Sequence, residues 1–126
     1  MRKFKILSVL VLCVFLVACA SLISNSYKSL AISKVTYDTA LKAAADFQSK
    51  GLITQDQRDQ INKAAKLFKA AHNVAVDALE VYATTDLASD KAKLFTALAT
   101  AASKWEDVAK LINTIKPNTV PAKFGQ

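Results

Sequence analysis

The sequence has little of several residue types on which catalytic sites, metal sites and loops depend. It contains two glycines, two prolines, one histidine and two cysteines among 126 residues. Two glycines cannot supply the glycine-rich loop that binds phosphate groups. Scarce glycine and proline, together with abundant alanine, leucine and lysine, favour helix over strand or disorder. Both cysteines lie within the first 19 residues, so the rest of the chain has no thiol and no internal disulfide.

The single histidine, His72, falls on the apolar stripe of a predicted helix. A metal or haem site would need further His, Cys or carboxylate ligands, and a general base would need an adjacent nucleophile. One turn away lie Phe68 and Val76, and no CxxCH or HExxH motif occurs. We therefore predict a structural histidine that is hydrogen-bonded to a neighbouring helix. We expect no catalytic residue, no metal and no cofactor, and hence a protein that is not an enzyme.

The chain has one tryptophan and three tyrosines. Trp105, Tyr37 and Tyr82 lie on inner stripes and are predicted to pack in the core, whereas Tyr27 is expected near a membrane surface.

The charge of the chain is moderately basic. Its net charge of +7 falls to +4 if Arg2, Lys3 and Lys5 are removed, because 14 basic residues then remain against 10 acidic ones. The lysines are scattered among acids and form no dense stripe, which argues against nucleic-acid binding. A mild basic bias suits an anionic surface of the cell envelope.

The first residues have the pattern of an export signal. A short basic segment, MRKFK, precedes the uncharged run Ile6 to Val17. At its end, Leu16-Val17-Ala18-Cys19 resembles the lipobox of bacterial lipoproteins. That resemblance implies attachment of diacylglycerol to the Cys19 sulfur, acyl chains such as palmitate, and cleavage before Cys19. Cys13 follows the bulky Leu12, so it does not fit the same motif.

The resemblance also implies a location. Residues 1–18 would be the signal peptide, and Cys19 would become the first residue of a chain anchored by lipid. Ala20 rather than Asp follows the cysteine, which favours the periplasmic side of the outer membrane in a diderm host. In any other host the outer face of the plasma membrane is expected. An uncleaved signal anchor is the alternative, since Ile6 to Ile23 just reaches the length of a spanning helix.

Three stretches of helical periodicity follow, at about 26–50, 55–84 and 90–116. Their inner stripes are predicted as Leu30, Tyr37, Leu41, Ala44 and Ala45; then Ile61, Ala65, Phe68, His72, Ala75, Leu79 and Tyr82; then Leu94, Leu98, Ala101, Trp105, Val108, Ala109 and Ile112.

Residues with known capping preferences separate the three stretches. Gly51 is expected to cap the first helix, Thr54 and Gln57 form a capping-box pattern, and Ser89 or Asp86 is expected to cap the third helix. The short connections predict an all-α, up-down-up antiparallel three-helix bundle over 26–116. Residues 19–25 would be a lipidated tether and 117–126 a flexible tail.

The whole layout loosely resembles small helical lipoproteins of bacterial envelopes, which are often found in prophage regions. Our leading hypothesis is a lipoprotein with a non-enzymatic structural or interaction role in the envelope. It would contact membrane lipid through Cys19, with an envelope protein or an anionic envelope surface as its possible partner. The alternative is a phage-associated lysis or superinfection-exclusion lipoprotein. A third hypothesis is a ligand-binding bundle that uses a cavity around His72.

Overall fold

The computed structural model describes the backbone of residues 2–125 and the side chains of residues 21–125. Three helices, α1 (Arg2–Ser49), α2 (Gln55–Thr85) and α3 (Ala88–Ile115), pack against one another. No strand occurs within the described backbone. The predicted all-α three-helix bundle is confirmed.

The buried residues of α2 follow a spacing of four and three residues, which is the period of helices that pack at a small crossing angle. The predicted α2 stripe is confirmed, with His72 half-buried and its other members buried. The predicted α3 stripe is buried except for the half-buried Leu98, and Asp90 and Ala97 extend it. Packing is most extensive between α2 and α3.

The inner stripe of α1 was predicted less well. Leu30 and Ala44 are buried, and Tyr37 and Leu41 are half-buried, but Ala45 is exposed. The buried positions that the prediction missed are Ser26, Ser33, Ala40 and Phe47, at intervals of seven residues. The side chains of Ser26, Ser33 and Ala40 are small, and the two serines carry hydroxyl groups, so hydropathy alone does not predict that they are buried. Ser33 satisfies its hydroxyl by donating to the backbone oxygen of Ser29 at 2.6 Å.

Helix α1 begins well before the predicted start at residue 26. The backbone of the predicted tether, residues 19–25, is helical and continuous with the rest of α1. Leu22 and Ile23 already pack against the buried cluster that contains Leu30, Leu79 and Leu94. The predicted boundary between a tether and the first helix is therefore not present at residue 26, because residues 19–25 continue α1 and two of their apolar side chains contribute to the core.

The two connections differ in how they are capped. Thr54 and Gln57 form the predicted capping box, and Gly51 has the predicted left-handed conformation with φ of +71°. At the other connection Asp86 ends α2 in the left-handed region, and Leu87 is the N-cap residue of α3 without a side-chain cap. The prediction that Ser89 or Asp86 caps α3 is wrong, because α3 already begins at Ala88 and Asp86 ends α2.

Residues 117–125 pack onto the bundle rather than forming the predicted flexible tail. Lys116 is extended before Pro117 and ends α3, as the ring of a following proline requires. Beyond it, Val120 is buried, and Phe124 packs against both core clusters. Gly125 approaches α1 so closely that an added Cβ would lie 3.0 Å from the Ser29 Cβ. We call residues 117–125 the closing segment; the prediction failed because it has no helical period to reveal its packing.

Candidate functional site

The predicted lipidation site lies outside the described side chains. The backbone of residue 19 belongs to α1, but the structure describes side chains from residue 21 onward. Lipidation of Cys19 stays a prediction. Among residues 21–125, no helix is long and apolar enough to cross a membrane.

His72 lies where α1 and α2 meet. Its Nε2 donates a hydrogen bond to the Leu30 backbone oxygen across a distance of 2.9 Å, since a carbonyl oxygen can only accept. The imidazole also packs against Phe68, with 5.8 Å between the ring centroids. The prediction of a half-buried histidine bonded to a neighbouring helix is confirmed. This bond joins α1 to α2.

Phe68 is the centre of an aromatic cluster. Its ring centroid lies 5.7 Å from that of Tyr37, 5.3 Å from that of Trp105 and 6.3 Å from that of Phe124. The contacts with Trp105 and Phe124 are edge-to-face, the geometry that the ring quadrupoles favour. All three helices and the closing segment therefore meet at this one ring.

Tyr37 is the member of this cluster with a perturbed pKa. Partial burial raises the pKa of its phenol above the ordinary 10.0, and the nearby negative charge of Asp38 raises it further. The hydroxyl is therefore protonated at physiological pH. It can donate a hydrogen bond there, but it cannot serve as an anionic base.

A pocket of about 420 Å³ lies beside His72, between α1 and α2. Lys34 and Lys69 bring two positive charges to its wall, and Asp38 brings one negative charge. No group of three or more His, Cys, Asp or Glu residues that could hold a metal lies within residues 21–125. This is the cavity that the ligand-binding hypothesis anticipates. Its polar groups come from exposed or half-buried side chains.

A groove runs between α2 and α3 and has a volume of about 700 Å³. Alanines and threonines make up most of its lining, and Val74 and Val81 line it with exposed side chains. Leu67, Val74 and Val81 lie at intervals of seven residues and form an exposed apolar ridge on α2. This spacing is visible in the sequence and could have predicted the ridge.

The bundle is electrically asymmetric along its axis. The contact between Phe68 and Trp105 places Ala101 level with His72 in the antiparallel pair. The half nearer the α2–α3 connection, residues 21–32 and 72–101, carries three basic and four acidic residues. The opposite half, residues 33–71 and 102–123, carries eleven basic and six acidic residues. We call the first the turn half and the second the basic half.

A further set of polar contacts fixes the closing segment. The Asn113 side chain donates to the Val120 backbone oxygen and accepts from the backbone N–H groups of Thr119 and Val120, at 2.9–3.1 Å. Trp105 donates from Nε1 to the Pro121 backbone oxygen at 2.9 Å. The sequence analysis missed Asn113, because an asparagine near a helix end gives no pattern that distinguishes a clamp from an ordinary surface residue.

No protein family, no curated protein and no solved structure matches this chain in the comparisons made.

Proposed function

We propose that the chain is a lipid-anchored, non-enzymatic protein of the bacterial cell envelope, whose helical bundle binds another envelope component. The observation that carries this proposal is the continuity of α1 from residue 19 into the core. Leu22 and Ile23 pack against the core three and four residues after Cys19, a rise of about 5 Å along the helix. A lipid on Cys19 would therefore hold the whole bundle against the membrane surface with no flexible linker.

The described side chains support a binding role rather than catalysis. Within residues 21–125, every buried side-chain nitrogen and oxygen has a hydrogen-bond partner. A catalytic site commonly shows buried or clustered ionisable groups with shifted pKa values. At Tyr37 partial burial and the charge of Asp38 raise the pKa, a direction that makes the anionic, base-competent form of the phenol less accessible.

The basic half supports an anionic partner. This half lies at the end of the bundle away from Cys19, so a membrane-anchored molecule would present it toward the rest of the envelope. Its excess of five positive charges would attract anionic polymers or an acidic protein surface, in a manner weakened by salt. The proposed location is the periplasmic side of the outer membrane in a diderm host, or the outer face of the plasma membrane otherwise.

The anchor is tested by mass spectrometry of the protein extracted from membranes, with the two cysteines as a matched pair. We expect a wild-type chain that begins at Cys19 and carries the added mass of diacylglycerol. Cys13→Ser should give the same mature chain, because Cys13 is lost with the leader. Cys19→Ser should abolish both lipid attachment and cleavage at this site. An intact wild-type chain that begins at unmodified Met1 would refute the lipid anchor.

The partner is tested by crosslinking in intact cells. Photocrosslinkers at exposed positions of the basic half, such as Lys63 and Lys110, should capture an envelope component, and capture should fall as salt rises. The same crosslinker at Phe95 in the turn half is the control. Crosslinks to bulk lipid alone at all three positions would refute the binding role.

A further inference from the structure

The pairing of α1 with α2 shows which part of the bundle lies level with Cys19. His72 bonds to Leu30, and Phe68 stacks on Tyr37, so the two helices run antiparallel in a known register. Cys19 lies eleven residues before Leu30 on α1, and Ala83 lies eleven residues after His72 on α2. Counted from the Tyr37–Phe68 contact, Cys19 lies eighteen residues before Tyr37, and eighteen residues after Phe68 is Asp86. The α2–α3 connection therefore lies at the height of Cys19 along the bundle axis.

Folding does not explain the apolar residue at this connection. Leu87 is the N-cap residue of α3, has no side-chain cap and is 55% exposed. Ser, Thr, Asp and Asn stabilise helices at the N-cap by about 1 kcal/mol relative to apolar residues. A leucine here therefore forgoes a cap and also exposes apolar surface to water.

The connection is held in place by its own hydrogen bonds. The Thr85 hydroxyl donates to the carboxylate of Asp90 at 2.6 Å, and Asp90 is itself buried. The Leu87 N–H donates to the Thr85 hydroxyl oxygen at 3.4 Å. These bonds fix the backbone on both sides of Leu87, so its side chain points outward from an ordered turn rather than from a loose loop.

The distribution of exposed apolar side chains agrees with a lipid surface at this end. Of the nine large apolar side chains that are exposed among residues 21–125, six lie in the turn half: Tyr27, Ile32, Val74, Val81, Leu87 and Phe95. The turn half is also nearly neutral, with three basic and four acidic residues. Contact at this end would therefore depend on apolar insertion and not on the charge of the lipid headgroups.

We propose that the turn formed by residues 84–89 rests on the bilayer that holds Cys19, with Leu87 inserted among the lipid headgroups as a second attachment point. This inference rests on the lipid anchor of the proposed function. An acyl anchor and an inserted leucine, on two different helices, would hold the bundle upright on the membrane. The basic half would then face away from the lipid.

The test uses two exposed leucines at opposite ends of the bundle. Leu87 is 55% exposed in the α2–α3 connection, and Leu52 is 57% exposed in the α1–α2 connection, roughly 45 Å away along α2. Leu87→Cys and Leu52→Cys are purified as full-length lipoproteins and labelled with a polarity-sensitive maleimide fluorophore. They are reconstituted into phosphatidylcholine vesicles that contain nitroxide-labelled lipid.

The label at position 87 should show blue-shifted emission and several-fold stronger quenching by the nitroxide lipid than the label at position 52. Replacing part of the phosphatidylcholine with phosphatidylglycerol should leave this difference unchanged. Equal emission and quenching at the two positions would overturn the proposal. Circular dichroism confirms that both variants keep the helical content of the wild type.

Labelling of the wild-type protein separates the two possible failures. A lipidated mature chain has no free thiol, so it should take up no maleimide. Labelling of wild type on Cys19 would refute the anchor itself. Absence of labelling, with a position-87 probe that reports water, would refute only the contact between the turn and the bilayer.

Discussion

Replacing Asn113 by alanine should release the closing segment from α3. The substitution removes three hydrogen bonds to Thr119 and Val120, each worth about 0.5–1.5 kcal/mol net. The higher helix propensity of alanine stabilises α3 by about 0.5 kcal/mol and offsets part of this loss. The free energy that holds the closing segment should therefore fall by about 1–4 kcal/mol, and each 1 kcal/mol should lower Tm by about 4–8 °C in a domain of this size.

The single tryptophan provides a direct assay for this release. Trp105 is 2% exposed and bonds to the Pro121 backbone oxygen, so its indole should meet water once the closing segment leaves. In Asn113→Ala we expect red-shifted emission and stronger acrylamide quenching under conditions in which the helical circular dichroism is unchanged. A melting curve of the same sample gives the loss of Tm.

Two variants control for effects other than the clamp. Thr114→Ala changes the next residue, which is exposed and donates only to the backbone oxygen of Lys110, with a similar gain in helix propensity. It should leave Trp105 emission as in wild type. Asn113→Asp keeps the two accepted hydrogen bonds but loses the donated one, so its effect should be intermediate. If Asn113→Ala has wild-type emission, quenching and Tm, the structural role assigned to Asn113 is refuted.

Three further substitutions test the core and the helix ends. Phe68→Ala should destabilise the bundle by about 3–5 kcal/mol in urea denaturation, because it removes the ring at the centre of the aromatic cluster. Leu67→Ala at the exposed neighbouring position is the control and should cost about 1 kcal/mol or less. Equal losses of stability in the two variants would contradict the assigned burial of Phe68. Thr54→Ala should cost about 1 kcal/mol and speed amide hydrogen exchange in the first turn of α2, and unchanged exchange there would argue against the capping box. His72→Leu should lower Tm, because the hydrogen bond to the Leu30 backbone oxygen is lost. His72→Gln keeps a side-chain donor and should recover part of the lost Tm. If His72→Gln is no more stable than His72→Leu, the hydrogen bond contributes little to stability.

The sequence predicted the helices that have a strong apolar period. The α2 stripe from Ile61 to Tyr82 consists mostly of large apolar residues at heptad spacing, so hydropathy alone identified its inner face. The capping box at Thr54 and the turn at Gly51 were also predictable, because each depends on residues only a few positions apart. These features are determined by residues close together in the chain, so the sequence alone was enough to predict them.

The features that the sequence did not reveal depend on contacts between distant residues. Ser26 and Ser33 are buried because α1 packs closely against its neighbours at small side chains, not because serine is apolar. Residues 117–125 pack through Phe124 and through main-chain oxygens that meet Trp105 and Asn113, and such contacts have no period along the chain. The α2–α3 groove was not predicted either, because its lining residues come from two different helices.

The packing of residues 117–125 has a consequence for the order in which the protein matures. This segment is synthesised after all three helices, yet it covers the indole of Trp105 and contacts the ring of Phe68. A nascent chain that has reached only Ile115 still exposes these aromatic surfaces and cannot complete its core. Native packing around these two aromatic rings is therefore postponed until residues 117–125 have been translated.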